Sequence, residues 1–211
     1  SANVDAGFSI VSYTGNQTAS TVGTGLSNAA ELLIVKNIDA SDNWPVYSSA
    51  TGNANKLLLD STVASSPSGN WNSTTPTNSV FTISANSEVN QLNDDFIAYC
   101  FHSVDGYSKI GSYTGNNTTN VVTTGFRPAF VMVKASSHAS SWYIVDDART
   151  PNNFLSPDLS AAEYTDAGKV IFNSNGFSLT STSYNNSGYT WIYMAFAEEV
   201  FNPNGVTRNA T

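Results

Sequence analysis

Apolar residues in this chain fall in short runs separated by stretches of Ser, Thr, Asn and Gly, and nowhere does an amphipathic helical spacing persist for three or more turns. Residues 8–13, Phe-Ser-Ile-Val-Ser-Tyr, predict a first strand turned at Thr14-Gly15-Asn16, and the polar 17–25 predicts a loop or a ragged edge strand. Residues 31–36 form a short run whose branched residues predict a buried strand. Asp39 to Asn43 is a polar loop, and Trp44 to Tyr47 resumes a strand that Pro45 confines to an edge or a beginning. Residues 56–60 are a further candidate strand, 61–77 a long surface loop, and 80–83 an alternating strand. A polar interval, 84–95, leads to the apolar run Ile97-Ala98-Tyr99-Cys100-Phe101.

This grammar is then written a second time. Ser12-Tyr13-Thr14-Gly15-Asn16 returns as Ser112-Tyr113-Thr114-Gly115-Asn116, Leu32 to Lys36 as Phe130 to Lys134, Trp44 as Trp142, and the closing run as Ile192-Tyr193-Met194-Ala195-Phe196. Such internal repetition sets the fold expectation before any other feature. The second copy predicts strands at 107–113, 129–134, 141–145, 168–172, 176–180 and 190–197, with a long loop at 147–166 in which Ser160-Ala161-Ala162-Glu163 forms one helical turn. Both closing runs are apolar at every position, which a strand can be only when both of its faces are covered; they are expected to be central. The fold class expected is all-β: two tandem, internally repeated β-sandwich units, jelly-roll or concanavalin-like, spanning 1–104 and 105–211. Almost no spacer separates Phe101 from Tyr107, so the copies are expected to pack compactly and to share an interface or a sheet.

Charge changes this picture. Charged residues make up 11% of the chain, against about 25% in an ordinary soluble domain, so the surface is polar but nearly uncharged and suits hydrogen bonding to neutral partners. Only eight Lys and Arg, scattered, stand within a net charge of −8, which excludes a phosphate-tracking nucleic-acid surface. The one cysteine, Cys100, lies in an apolar run and reads as a core thiol. No apolar stretch of membrane-spanning length occurs, and no membrane insertion is expected. The first residue is Ser1, which suggests a piece of a longer chain.

The repeated Ser-Tyr-Thr-Gly-Asn turns, Gly125-Phe126-Arg127-Pro128-Ala129-Phe130-Val131-Met132-Val133-Lys134, Ser174-Asn175-Gly176-Phe177 and Tyr193-Met194-Ala195-Phe196-Ala197-Glu198 together resemble a duplicated β-domain family of tailed-bacteriophage virion proteins, common in marine and cyanobacterial phages. The resemblance spans both repeats. It implies a virion-surface, extracellular location of tail-fibre type, host-surface polysaccharide or other virion subunits as partners, and in fibres a homo-oligomer, usually a trimer. It supplies no catalytic residues.

Candidate chemistry is sparse. Asp94-Asp95 and Asp146-Asp147 raise a calcium site or a glycosidase acid–base pair, but adjacent residues on a strand face opposite ways and no calcium-loop spacing occurs. Solvated strand ends are the expectation; no cofactor is expected, calcium being the one ion left open. His138 sits in a polar loop without a nucleophile motif and reads as a surface histidine. Asn-x-Ser/Thr sequences begin at Asn16, Asn72, Asn116, Asn117, Asn185 and Asn209, as chance supplies in a chain rich in these residues. Aromatic rings can stack on sugar CH faces while amides bond the hydroxyls, so Trp71, flanked by Asn70 and Asn72 in the long loop, and Tyr164 and Tyr184 are the candidate ligand-binding residues. Trp44, Trp142 and Trp191 lie in expected strands and read as core. The function expected is that of a non-enzymatic phage adhesin binding a host glycan. A capsid decoration or appendage subunit is the alternative, and a glycan hydrolase comes third.

Overall fold

Alternation of side chains along short strands dictates layers, and a computed structural model describes those layers for residues 1–149, 153–165, 170–180 and 182–197. The chain is all-β and divides into two units, Ser1–His102 and Ser103–Thr211.

The first unit contains β1 (Ala2–Asn3), β2 (Phe8–Thr14), β3 (Ser20–Gly23), β4 (Leu32–Asn37), β5 (Pro45–Ser48), β6 (Asn55–Leu58), β7 (Ser66–Pro67), β8 (Val80–Ile83), the one-turn helix α1 (Ser87–Asn90) and β9 (Asp95–Phe101). Seven strands form one antiparallel sheet in the order β1-β2-β9-β4-β5-β6-β7, and β3 pairs with β8 in a second. In β9 every second residue, Phe96, Ala98 and Cys100, is buried. These meet Leu33 and Val35 of β4 and Tyr47 of β5 on one side, and Val22, Phe81 and Ile83 of the two-stranded sheet on the other. The core is the filling of a two-sheet sandwich.

In the second unit the order is β10 (Ser108–Thr114), β11 (Asn120–Thr123), β12 (Pro128–Ala135), β13 (Trp142–Asp146), β14 (Asn153–Phe154), β15 (Tyr164–Thr165), β16 (Val170–Asn173), β17 (Gly176–Leu179), a 3-10 turn at Thr182–Tyr184, and β18 (Thr190–Ala197). A four-stranded sheet, β10-β18-β12-β13, faces a three-stranded sheet, β11-β17-β16, and β14 pairs with β15. Tyr113, Val131, Val133, Trp191, Tyr193 and Ala195 from the first sheet pack on Val122, Phe177 and Leu179 from the second.

The closing runs, β9 and β18, are interior strands, each bonded on both sides. Only β18 is buried on both faces, from Trp191 through Ala195; Ile97, Tyr99 and Phe101 of β9 are half-buried. Every sheet draws its strands from one repeat, which corrects the expectation of a sheet shared between the copies. Stretch 17–25 supplies the short strand β3, and Pro45 begins its strand, where its missing N–H costs no ladder bond.

Both long loops prove less bare than their composition. The first holds β7 and the second holds β14 and β15. Ser160–Glu163 is irregular, so the helical turn expected there is corrected: Glu163 is drawn instead to Arg149 and Asn153. Trp44 is half-buried just ahead of β5, which corrects its core reading, while Trp142 and Trp191 are buried as expected. Residues 168 and 169 of the strand expected at 168–172, together with Glu198 and Asn209, lie outside the described residues.

Candidate functional site

The repeated pentad is a structural clamp, and its chemistry is local. Tyr13 Oη donates to the carbonyl of Val89 at 2.7 Å, and Tyr113 Oη donates to that of Tyr184 at 2.7 Å. Asn90 and Asn185, both fully buried, occupy the same place in the two copies. Each Oδ1 accepts from the turn's asparagine N–H, Asn16 at 2.8 Å and Asn116 at 2.9 Å. Each Nδ2 donates to the carbonyl of Thr18 or Thr118. Gly15 and Gly115 sit so close beneath this loop that an added Cβ would collide with the carbonyl oxygens of Gln91 and Asn186. Thr18 N and Thr118 N donate to Asn16 Oδ1 and Asn116 Oδ1, so these two sequons are Asx turns. The clamp thus binds the chain's own backbone and presents no ligand site.

The aromatic residues singled out in the sequence go the same way. Trp71 is 1% exposed, its Nε1 donates to the Asn55 carbonyl at 3.0 Å, and its ring meets Tyr47 edge-on. Both ring faces are enclosed by protein, so Trp71 offers no platform to a sugar. Truncating such a ring costs about 3–5 kcal/mol of stability. Asn70 is buried and donates to Glu88 at 2.6 Å, while Asn72 is exposed at a positive φ of 48° that suits asparagine in a turn. Tyr184 is 2% exposed and packs on Tyr143 and Phe154. Tyr164 is half-buried, edge-on to Phe154 and bonded to Ser156. Asn70, Trp71 and Asn72 belong to the first unit and Tyr164 and Tyr184 to the second.

Each of the paired carboxylates is held by a protein partner. Asp94 accepts from Asn37 at 2.8 Å and Asp95 from Thr14 at 2.7 Å. Among the described residues no three His, Cys, Asp or Glu side chains converge as a metal site. Burial pushes the Cys100 thiol up to about 11, which leaves it unreactive at neutral pH. His138 is exposed, stacked on Tyr189 at 3.6 Å. No helix among the described residues is long and apolar enough to cross a membrane.

Asp146 and Asp147, in contrast, border a cavity of about 320 Å³ in the second unit, lined by Arg127, Val145, Asp146, Asp147, Arg149, Val170, Ile171 and Phe172. Its polar wall is built where β13 ends. Arg127 Nη1 donates to Asp147 Oδ2 at 3.0 Å, Arg149 Nε to Asp146 Oδ2 at 2.6 Å, and Arg149 Nη1 to Glu163 Oε2 at 2.6 Å. Asn153 donates to the other oxygen of Glu163 at 2.6 Å. Hydrogen bonds from Arg149 and then Asn153 hold the Glu163 carboxyl below its ordinary range, and the bonds to Glu163 and then Asp146 hold the guanidinium of Arg149 above its own. Its apolar wall is β16, where Val170 and Phe172 lean partly into the core and Ile171 stays 45% exposed.

Sequence reading picked out Asp146-Asp147 but missed Arg127, Arg149 and the apolar wall. The available signal was scarcity: the chain has only eight Lys and Arg, and two of its arginines converge here. Exposed ion pairs contribute only about 0–1 kcal/mol each. Stability therefore gives little reason to gather charges at an open cleft in so uncharged a chain.

A family model described as a domain of unknown function (DUF7483) matches residues 1–200, and the chain belongs to that family. No curated protein and no solved structure matches the chain.

Proposed function

We propose that this member of the DUF7483 family is a non-enzymatic surface protein of a tailed-phage virion, a tail-fibre or spike domain that attaches to a host-surface glycan through the cleft of its second repeat. The cleft carries this reading. It is concave, one wall is apolar, the other holds a few convergent polar groups, and such pockets are where small ligands and sugars bind. A hydrolase is disfavoured because a glycosidase needs one carboxyl kept protonated as general acid, whereas Glu163 is held ionised by its arginine. Virion-surface location and trimeric assembly follow from the phage resemblance and belong to the same proposal.

One observation favours the rival reading of a decoration or appendage subunit. Val121 and Ile171 stand in one row across the outer face of the three-stranded sheet, both paired to Ser178, and are 65% and 45% exposed. Exposed apolar rows suit subunit contacts. The test is binding of the purified chain to intact host cells and to their extracted surface polysaccharide, with Arg149→Met as the cleft variant and Trp71→Phe as the core control. Saturable binding weakened by the first substitution and unchanged by the second supports the adhesin. Absence of binding together with ordered assembly lost on Val121→Thr supports the structural subunit.

A further inference from the structure

We infer that the cleft between the end of β13 and strand β16 selects a neutral saccharide with vicinal hydroxyls over an acidic or sulfated one; this rests on the glycan-binding reading above. Charge is the first argument. Among the described residues three carboxylates, Asp146, Asp147 and Glu163, surround two guanidiniums, Arg127 and Arg149, so this charged wall is slightly negative within a chain of net charge −8. An anionic sugar has to approach against that field. A cation fares no better, because every one of the three carboxylates already accepts from an arginine.

Hydrogen-bond capacity is the second argument. A guanidinium carries only donors and a carboxylate only acceptors. Arg149 keeps N–H groups beyond those it gives to Asp146 and Glu163, and Asp147 keeps the carboxylate oxygen that Arg127 does not use. A hydroxyl pair matches such a wall: one hydroxyl donates to a carboxylate oxygen while its neighbour accepts from a guanidinium, and no ion pair is broken. Charge-assisted bonds of this kind are stronger than neutral ones and are fixed in direction by the planar fork of arginine. Shape is the third argument. Val170 and Phe172, on one face of β16, give the opposite wall an apolar surface that fits the CH face of a sugar ring. The first repeat cannot form this wall, because Ala29, Ser48, Ser49 and Thr51 stand where Arg127, Asp146, Asp147 and Arg149 stand in the second.

The experiment is calorimetric titration of the full chain with neutral glucan, mannan and galactan oligomers, with alginate oligomers as uronates, and with sulfated galactan oligomers, each at 50 and 500 mM NaCl. The expected result is saturable binding of at least one neutral oligomer that changes less than about threefold between the two salts, because no net charge is paired on binding. Arg149→Met and Asp147→Asn each weaken it about tenfold or more, and Phe172→Ala weakens it less. Circular dichroism identifies any variant that fails to fold, and the isosteric Asp147→Asn keeps the test standing if Arg149→Met does. Binding confined to uronate or sulfated oligomers and lost at 500 mM NaCl overturns the neutral specificity while leaving an adhesin. Neutral binding unmoved by all three substitutions overturns the cleft as its place. Absence of binding to any oligomer overturns this inference, and only the additional absence of cell binding removes the adhesin reading with it.

Discussion

The two repeats use one scaffold and differ in what it carries. Tyr13 and Tyr113, Gly15 and Gly115, Asn90 and Asn185 make the same bonds at nearly the same lengths. In the core, Val11 lies opposite Ala98 in the first repeat, while Gly111 lies opposite Tyr193 in the second. A Cβ at Gly111 would sit 2.8 Å from Tyr193 Oη, so the small residue makes room for the large one. At the end of β13, four uncharged positions of the first repeat become two arginines and two aspartates, and β16 adds a wall for which the first repeat has no described strand. Backbone-directed bonds admit no substitute side chain, whereas core volume can be traded between neighbours and a strand end tolerates almost anything. Scaffold and cleft are therefore carried by different residues.

The largest expected effect tests the likeness of the copies. Gly15→Ala and Gly115→Ala each place a Cβ against a backbone carbonyl and are expected to cost about 3 kcal/mol or more in urea denaturation. If one is tolerated and the other is not, the clamps are not equivalent. The core exchange is tested next. Gly111→Val alone is expected to destabilise by about 1–3 kcal/mol, and adding Tyr193→Ala, which restores the first repeat's pairing, is expected to recover part of that loss. Additive losses from the two changes would mean that their volumes are not coupled.

The smallest effect sharpens a third contrast. Lys36 is half-buried, with Nζ bonded to the carbonyls of Ala40 and Asp42, whereas Lys134 is fully buried and donates to the carbonyl of Ser140 at 2.6 Å. Burial pushes Lys134 down to about 8, with Asp158 opposing. Between that value and the ordinary lysine value of 10.5 the unfolded chain holds the proton and the folded chain does not. Stability therefore rises with pH across this window, and below it Lys134 is charged in both states and adds no slope. Lys134→Met is expected to flatten the rise and to raise stability at pH 7 by roughly 1 kcal/mol. Urea midpoints of both proteins from pH 7 to pH 10.5 check this, and an unchanged slope would remove Lys134 as its source.

The sequence by itself determined the elements that depend on near neighbours. Short apolar runs, Gly-Asn turns and the duplicated order made both copies β-structured and their closing runs interior strands, because alternation and turn chemistry act over a few residues. The clamp was legible as a repeated pentad, although its partners, Asn90 and Asn185, lie some seventy residues away and looked like any other asparagine. Tertiary structure alone decided the burial of Trp71, since a polar loop carries no sign of the Tyr47 ring and Asn55 carbonyl that receive it. It alone gathered Arg127, Asp146, Arg149 and Phe172 around one cavity. A cleft is a meeting of residues far apart in the chain, and its bonds are made only when the strands that carry them have already paired.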